Sequence, residues 1–150
     1  MGIKTLRASD EYYTPQWIFQ ALNIKFDLDV SAPEGGVPWL PAEHYYTIKD
    51  DGLVQNWFGK VWMNPPFSQS TPWVNKFIDH GNGIALVPFA KSAWFHNLWN
   101  VADGIVPLTS KLKFEHRDKG TQSIFMSCFL ASMGSYCTDY LEKSNIGKMR

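Results

Sequence analysis

Hydrophobic positions change their spacing several times along the chain, and each change predicts an element. Over "YYTPQWIFQALNI" the apolar residues Trp17, Ile18, Ala21 and Leu22 recur at helical spacing. Residues 15–23 therefore read as a helix, with Thr14 as N-cap and Pro15 at the first helical position, where a missing N–H costs nothing. "KFDLDV" alternates Phe26, Leu28 and Val30 with Asp27 and Asp29, the period of a strand. From Ser31 to Asn56 the pattern fades into a stretch rich in Pro and Gly, which predicts a long loop with at most one helical turn. Loops of that length in compact domains usually serve function or move. "KVWM" reads as a short buried strand ending in the turn "NPPF". "STPWVNKFIDHG" then reads as a helix with Trp73, Val74, Phe77 and Ile78 on one face, Ser70 as cap and Gly81 at its end. "GIALVPF" is an apolar strand, followed by a helix over "KSAWFHNLWNVA" and a strand "GIVPL". After "KLKFEH" and a polar loop to Gly120, "QSIFMSCFLASMG" is long enough for a closing strand antiparallel to its predecessor.

Alternating strands and helices imply parallel pairing with helices over both faces, so the expected fold class is α/β, a doubly wound sheet. At 150 residues, one domain over 1–150 is the simplest organisation, with loose ends at about 1–9 and 145–150 and no room for a separate recognition domain. An apolar fraction of 45% against 19% charged marks a globular chain, and the 15% aromatic content asks for burial or a flat ligand. Basic and acidic side chains balance at 14 each, which excludes a global field that gathers nucleic acid; any such contact must be local. The local candidate is "SKLKFEHRDKG", where Lys111, Lys113, Arg117 and Lys119 gather around His116; a solvated loop and a phosphate-contacting one both fit. Two cysteines without C-x-x-C spacing, and no signal-like or membrane-length apolar run, point to a soluble cytoplasmic protein. The four histidines show no paired metal spacing, so no metal is expected. No G-x-S-x-G elbow or P-loop is present.

The chemistry concentrates at "WMNPPFSQS". An Asn-Pro-Pro turn can do no more than stop a sheet, because proline lacks a donor and restricts the residue before it. Here, however, it follows a parallel strand at its carboxyl end, the edge where α/β sheets bind ligands. Asn64 offers an amide oxygen that can accept from an exocyclic amine, the prolines hold the next carbonyl rigidly, and Phe67 adds a flat face. Asp29 ends an earlier strand and brings a carboxylate suited to a cationic amine.

Residues 64–67 resemble the (D/N/S)-P-P-(Y/F/W) signature of amino-methyltransferases. More specifically, "DEYYTPQWIFQAL", "FDLDVSAPE", "DDGLVQNWFGKVWMNPPFS", "IALVPFAKSAWFH" and "LKFE", in that order, resemble the phage and prophage DNA N-6-adenine methyltransferase (Dam-like) family, to about Gly134. The resemblance implies a Rossmann-like S-adenosylmethionine methyltransferase sheet, mostly parallel with an antiparallel closing strand. It implies site-specific methyl transfer from S-adenosylmethionine to adenine N6 in DNA, in a host-cell cytoplasm. Asn64, Pro65, Pro66 and Phe67 would be catalytic. Tyr13, Thr14, Pro15, Asp29 and Asp51 would bind cofactor, Asp29 near the methionine ammonium and Asp51 near the adenine ring. Pro88, Phe89 and Lys91 would border the pocket. The sequence departs from the wider class in one respect: its glycines after the first strand are delayed to positions 35 and 36, where an F-x-G-x-G turn is usual.

The implied mechanism needs no strong base. Hydrogen bonds from N6–H to the Asn64 side-chain oxygen and the Pro65 carbonyl localise the amine lone pair, Phe67 stacks on a base flipped out of DNA, and positioning supplies most of the acceleration. Two alternatives stand beside this reading. One is methylation of another amine, in RNA or protein glutamine; the other is a non-catalytic cofactor- or nucleic-acid-binding module that needs a partner or a second copy.

Overall fold

A computed structural model of the chain describes residues 12–108, 113–116, 120–123 and 127–150, with side chains described for 13–108 and 127–150. Strand β1 (Tyr12–Tyr13) leads into helix α1 (Gln16–Leu22). The N-cap is Pro15, extended at φ −66° and ψ 149°, rather than Thr14, because the first turn closes from Ile18 N–H to Pro15 O at 3.2 Å. Thr14 is thereby left free for other bonds. Ile18, Phe19 and Leu22 turn inward while Trp17 stays 42% exposed, so Phe19 and not Trp17 belongs to the core face. Next come β2 (Phe26–Asp29), β3 (Ala42–Tyr45), β4 (Val61–Met63), a 3-10 turn at Phe67–Gln69, α2 (Ser70–His80), β5 (Gly83–Pro88) and α3 (Ala93–Val101). The chain continues through β6 (Gly104–Pro107), β7 (Lys113–His116), β8 (Gly120–Ser123), β9 (Cys128–Met133) and α4 (Ser135–Lys143).

Six strands form one sheet in the order β3-β2-β4-β5-β9-β6. Pairing is parallel from β3 through β5, and β9 lies antiparallel between β5 and β6. Alternation along the central strands sorts their side chains into two core layers. Trp62, Ile84, Leu86, Val106, Cys128 and Leu130 face α1 and α4; Val61, Met63, Ala85, Val87, Ile105, Phe129 and Ala131 face α2 and α3. A mixed α/β sheet covered on both faces results, as the alternation of elements predicts. β1, β7 and β8 form a separate antiparallel sheet, with Tyr12 opposite His116 and Tyr13 opposite Glu115.

Several local expectations are corrected. Residues 31–56 are not all loop: they contain β3, an edge strand whose residues stay half-buried or exposed and therefore lack a core pattern. Ser70 is already helical, at φ −66° and ψ −34°, and its hydroxyl donates to Phe67 O at 3.2 Å instead of capping. Gly81 does end α2, at φ 74° with its N–H on Phe77 O. The run "QSIFMSCFLASMG" is divided, Gln122 and Ser123 lying in β8 and Cys128–Met133 forming the closing strand. Residues 135–143 form α4, which carries only Cys137 and Leu141 into the core. Residues beyond Asn145 run back beside β6, where Arg150 N–H donates to Ile105 O at 2.8 Å and its guanidinium lies 4.3 Å from the Trp99 ring centre.

Strand β2 is irregular where it matters. Its N–H groups toward β4 are those of Asp27, on Lys60 O at 2.8 Å, and Val30, on Trp62 O at 3.1 Å. Three residues on β2 thus span two on β4, a bulge-like step of the kind that re-aims side chains beside functional sites. Phe26 consequently joins the layer under α1 while Leu28 and Val30 join the layer under α2, where simple alternation puts all three together.

Candidate active site

After β2 the chain moves outward to β3 and then returns to β4 on the opposite side of β2, as the strand order shows. The carboxyl ends of β2 and β4 therefore flank the switch point of the sheet, the crevice where open α/β sheets bind ligands. Asp29 is the last residue of β2, and Asn64 follows the last residue of β4. Two residues 35 positions apart in the chain meet there because parallel strands share an edge.

A chain of hydrogen bonds crosses this crevice. Ser31 N–H donates to Asp29 Oδ1 at 3.2 Å, and Ser31 Oγ donates to the main-chain oxygen of Asn64 at 2.9 Å. The Asn64 amide Nδ2 donates to Thr14 Oγ1 at 3.1 Å, and Trp39 Nε1 donates to Thr14 O at 2.7 Å. Thr14 and Asp29 are buried at 1% and 3% exposure, and the Trp39 ring sits 6.1 Å from that of Tyr13. With its Nδ2 engaged, Asn64 has its Oδ1 without a partner among the described residues. Pro65 is buried and Pro66 and Phe67 are half-buried, with Phe67 leaning on the core layer beneath α1.

Asp29 carries the electrostatics. Burial pushes its carboxyl up to about 7, only partly opposed by the Ser31 N–H. Its second oxygen has no partner among the described residues. A dry carboxylate with one oxygen unspent suits a cation better than any neutral group.

The structure thus brings Tyr13, Thr14, Asp29 and Asn64 together, with Pro15 buried at the start of α1. Ser31 and Trp39 complete the arrangement, and the sequence reading passes over both. A hydroxyl two positions beyond an acidic strand end, and a tryptophan set between Pro38 and Pro41, were the available signals. Asp51 lies in a turn at φ 55°, in the loop that follows β3. The next residue, Gly52, presses so closely on β2 that a Cβ there would come 2.2 Å from Val30 O. That loop is fixed to α2 by Lys76 Nζ, which donates to Leu53 O at 2.8 Å and to Gln55 O at 2.5 Å, and by the stacked rings of Trp57 and Trp73.

Other candidates stand at the carboxyl end of the neighbouring strand β5 or outside the described residues. Pro88 is buried at the end of β5, Phe89 is 40% exposed with its ring 4.9 Å from that of Phe129, and Lys91 is exposed. Lys111, Arg117 and Lys119 lie outside the described residues; Lys113 begins β7, its side chain likewise outside them. Gly35 and Gly36 adopt φ of 84° and 77° in the β2–β3 connection, away from the tight strand exit of the wider class. Among the described residues no group of three or more His, Cys, Asp or Glu side chains could hold a metal ion, and no helix is long and apolar enough to cross a membrane. Cys128 and Cys137 are buried thiols, and burial pushes them up to about 12 and about 11.

Fold and site together define an α/β protein whose polar residues collect at the carboxyl edge of a parallel sheet, at its switch point. The model of the DNA N-6-adenine-methyltransferase (Dam) family matches residues 4–133, and the chain belongs to that family. It is 30% identical over 126 residues to a DNA N-6-adenine-methyltransferase of Haemophilus phage HP1 (strain HP1c1), covering 76% of this chain and 71% of the relative. It is also 37% identical over 79 residues to a DNA N-6-adenine-methyltransferase of Escherichia phage T1, covering 47% of this chain and 32% of that protein.

Proposed function

We propose that the chain is a site-specific, S-adenosylmethionine-dependent DNA methyltransferase that modifies adenine N6. The observation that carries this reading is the pairing, at one switch point, of an Asn-Pro-Pro-Phe turn whose amide oxygen is unspent with a buried carboxylate whose second oxygen is unspent. Family membership and the names of the phage relatives support the same reaction.

The residues present fit the cofactor. Asp29 would hold an ammonium group, Tyr13, Thr14 and Pro15 would line the pocket beside it, and Asp51 would border the adenine end. When bound, S-adenosylmethionine supplies a methyl group on a positively charged sulfur. Asn64 Oδ1 and the Pro65 carbonyl would accept the two N6–H bonds, concentrating the lone pair on nitrogen. Thr14 keeps the amide turned the right way by accepting from Nδ2. Phe67 would stack on the flipped base, a contact worth ~1–3 kcal/mol that offsets part of the cost of extrusion. DNA contacts fall to Lys111, Lys113, Arg117 and Lys119; the pairing of β7 with β1 supports this, since it ties the basic segment to the strand that enters the pocket. A partner or second copy would add contacts without altering this chemistry.

Asn64→Ala tests the division of roles. Turnover should fall by at least about 100-fold, the scale of losing a positioned polar group at the reacting centre. Cofactor affinity by calorimetry should stay within about threefold. Parallel loss of both would contradict the assignment of Asn64 to the target amine.

A further inference from the structure

The carbonyl of Asn64 sits where the sheet stops providing donors. Val30 N–H makes the last main-chain bond from β2 to β4, on Trp62 O. The next rung of a parallel ladder would run from residue 32 to Asn64 O, but Ala32 N–H turns to the other side and donates to Tyr46 O at 2.8 Å. Pro65 and Pro66 have no N–H to stitch the turn from its own side. Into that gap Ser31 places its hydroxyl, 2.9 Å from Asn64 O, while its own N–H holds Asp29 Oδ1.

From this geometry we infer that Ser31 is a positioning residue for methyl transfer, its hydroxyl replacing the missing rung and fixing the Asn64–Pro65 peptide plane. The inference rests on the reaction proposed above. That plane lies between the two acceptors of the target amine, so turning it displaces the Pro65 carbonyl relative to the Asn64 side chain. Ser31 acts through Asn64 and touches neither reactant in this account. The two bonds of Ser31 also separate by chemistry: the one to Asp29 comes from the main chain and survives any substitution but proline, whereas the one to Asn64 needs the hydroxyl. Losing the hydroxyl should therefore disturb the amine acceptors and leave the cofactor carboxylate in place.

The test compares wild type, Ser31→Ala, Ser31→Cys and Ser31→Thr in single-turnover methylation of unmethylated duplex DNA, with calorimetric Kd for S-adenosylmethionine and a DNA-binding titration. Displacing reacting groups by an ångström can cost about 100-fold, so Ser31→Ala should lose roughly 10- to 100-fold in the methyl-transfer rate, with both Kd values within about twofold. Ser31→Thr, which keeps the hydroxyl, should recover to within about threefold of wild type, and Ser31→Cys, a weak donor, should fall between them. An alanine variant with wild-type rate overturns the inference. So does equal loss of rate and cofactor affinity that threonine fails to rescue, which marks a structural tie only. If alanine prevents folding, equal rates for cysteine and wild type overturn it. A wild type that makes no N6-methyladenine at all refutes the proposed reaction instead, so the two failures are distinguishable.

Discussion

Burial raises Asp29 to about 7, well above its unfolded value of 3.8. Its contribution to stability is therefore full below the unfolded value and is lost as pH rises through about 7, because ionisation then occurs in a dry site. A cationic ligand has the opposite preference and binds the ionised form. The Asp29 contribution to S-adenosylmethionine affinity should thus increase from pH 6 to pH 8 by about tenfold, the rise in ionised fraction of a single group that titrates at about 7. Calorimetric titration of wild type against Asp29→Asn isolates it, since the ligand's own titration is common to both; superimposable pH profiles would remove Asp29 from contact with the cation. At this scale the sequence was informative for residues that close an element. Asp29 ends one strand and Asn64 directly follows the end of another, so their place at the edge follows from the strands alone. Ser31 was illegible because its role depends on Ala32 turning to Tyr46, a long-range choice that no local pattern encodes.

Elements were legible in proportion to their burial. The central strands β4 and β5 are wholly buried and the sequence locates both. Edge strand β3 escapes because it presents no buried side chain, and α4 because only Cys137 and Leu141 face inward. The loop after β3 is less loose than its composition suggests. Gly52 is needed there for steric reasons, since an added Cβ would meet Val30 O at 2.2 Å and the Trp73 ring at 3.1 Å. Gly52→Ala should accordingly lower the free energy of unfolding by about 1–3 kcal/mol, the usual cost of overpacking. Urea unfolding checks this, and unchanged stability would place the Asp51 turn farther from β2 than described.

Across the whole molecule, the alternation of strands and helices conveyed the layered architecture, while the irregular step in β2 and the separate β1–β7–β8 sheet depended on tertiary pairing. That small sheet joins Lys113–His116 to the strand preceding Thr14. The proposed reaction depends above all on the grip of the NPPF turn on an adenine amine in DNA. Its most direct test incubates the purified chain with labelled S-adenosylmethionine and unmethylated DNA, beside Asn64→Ala, and identifies the labelled nucleoside after digestion. N6-methyladenine from the wild type alone is the predicted result. Label on another nucleoside, or none despite confirmed cofactor binding, would contradict it.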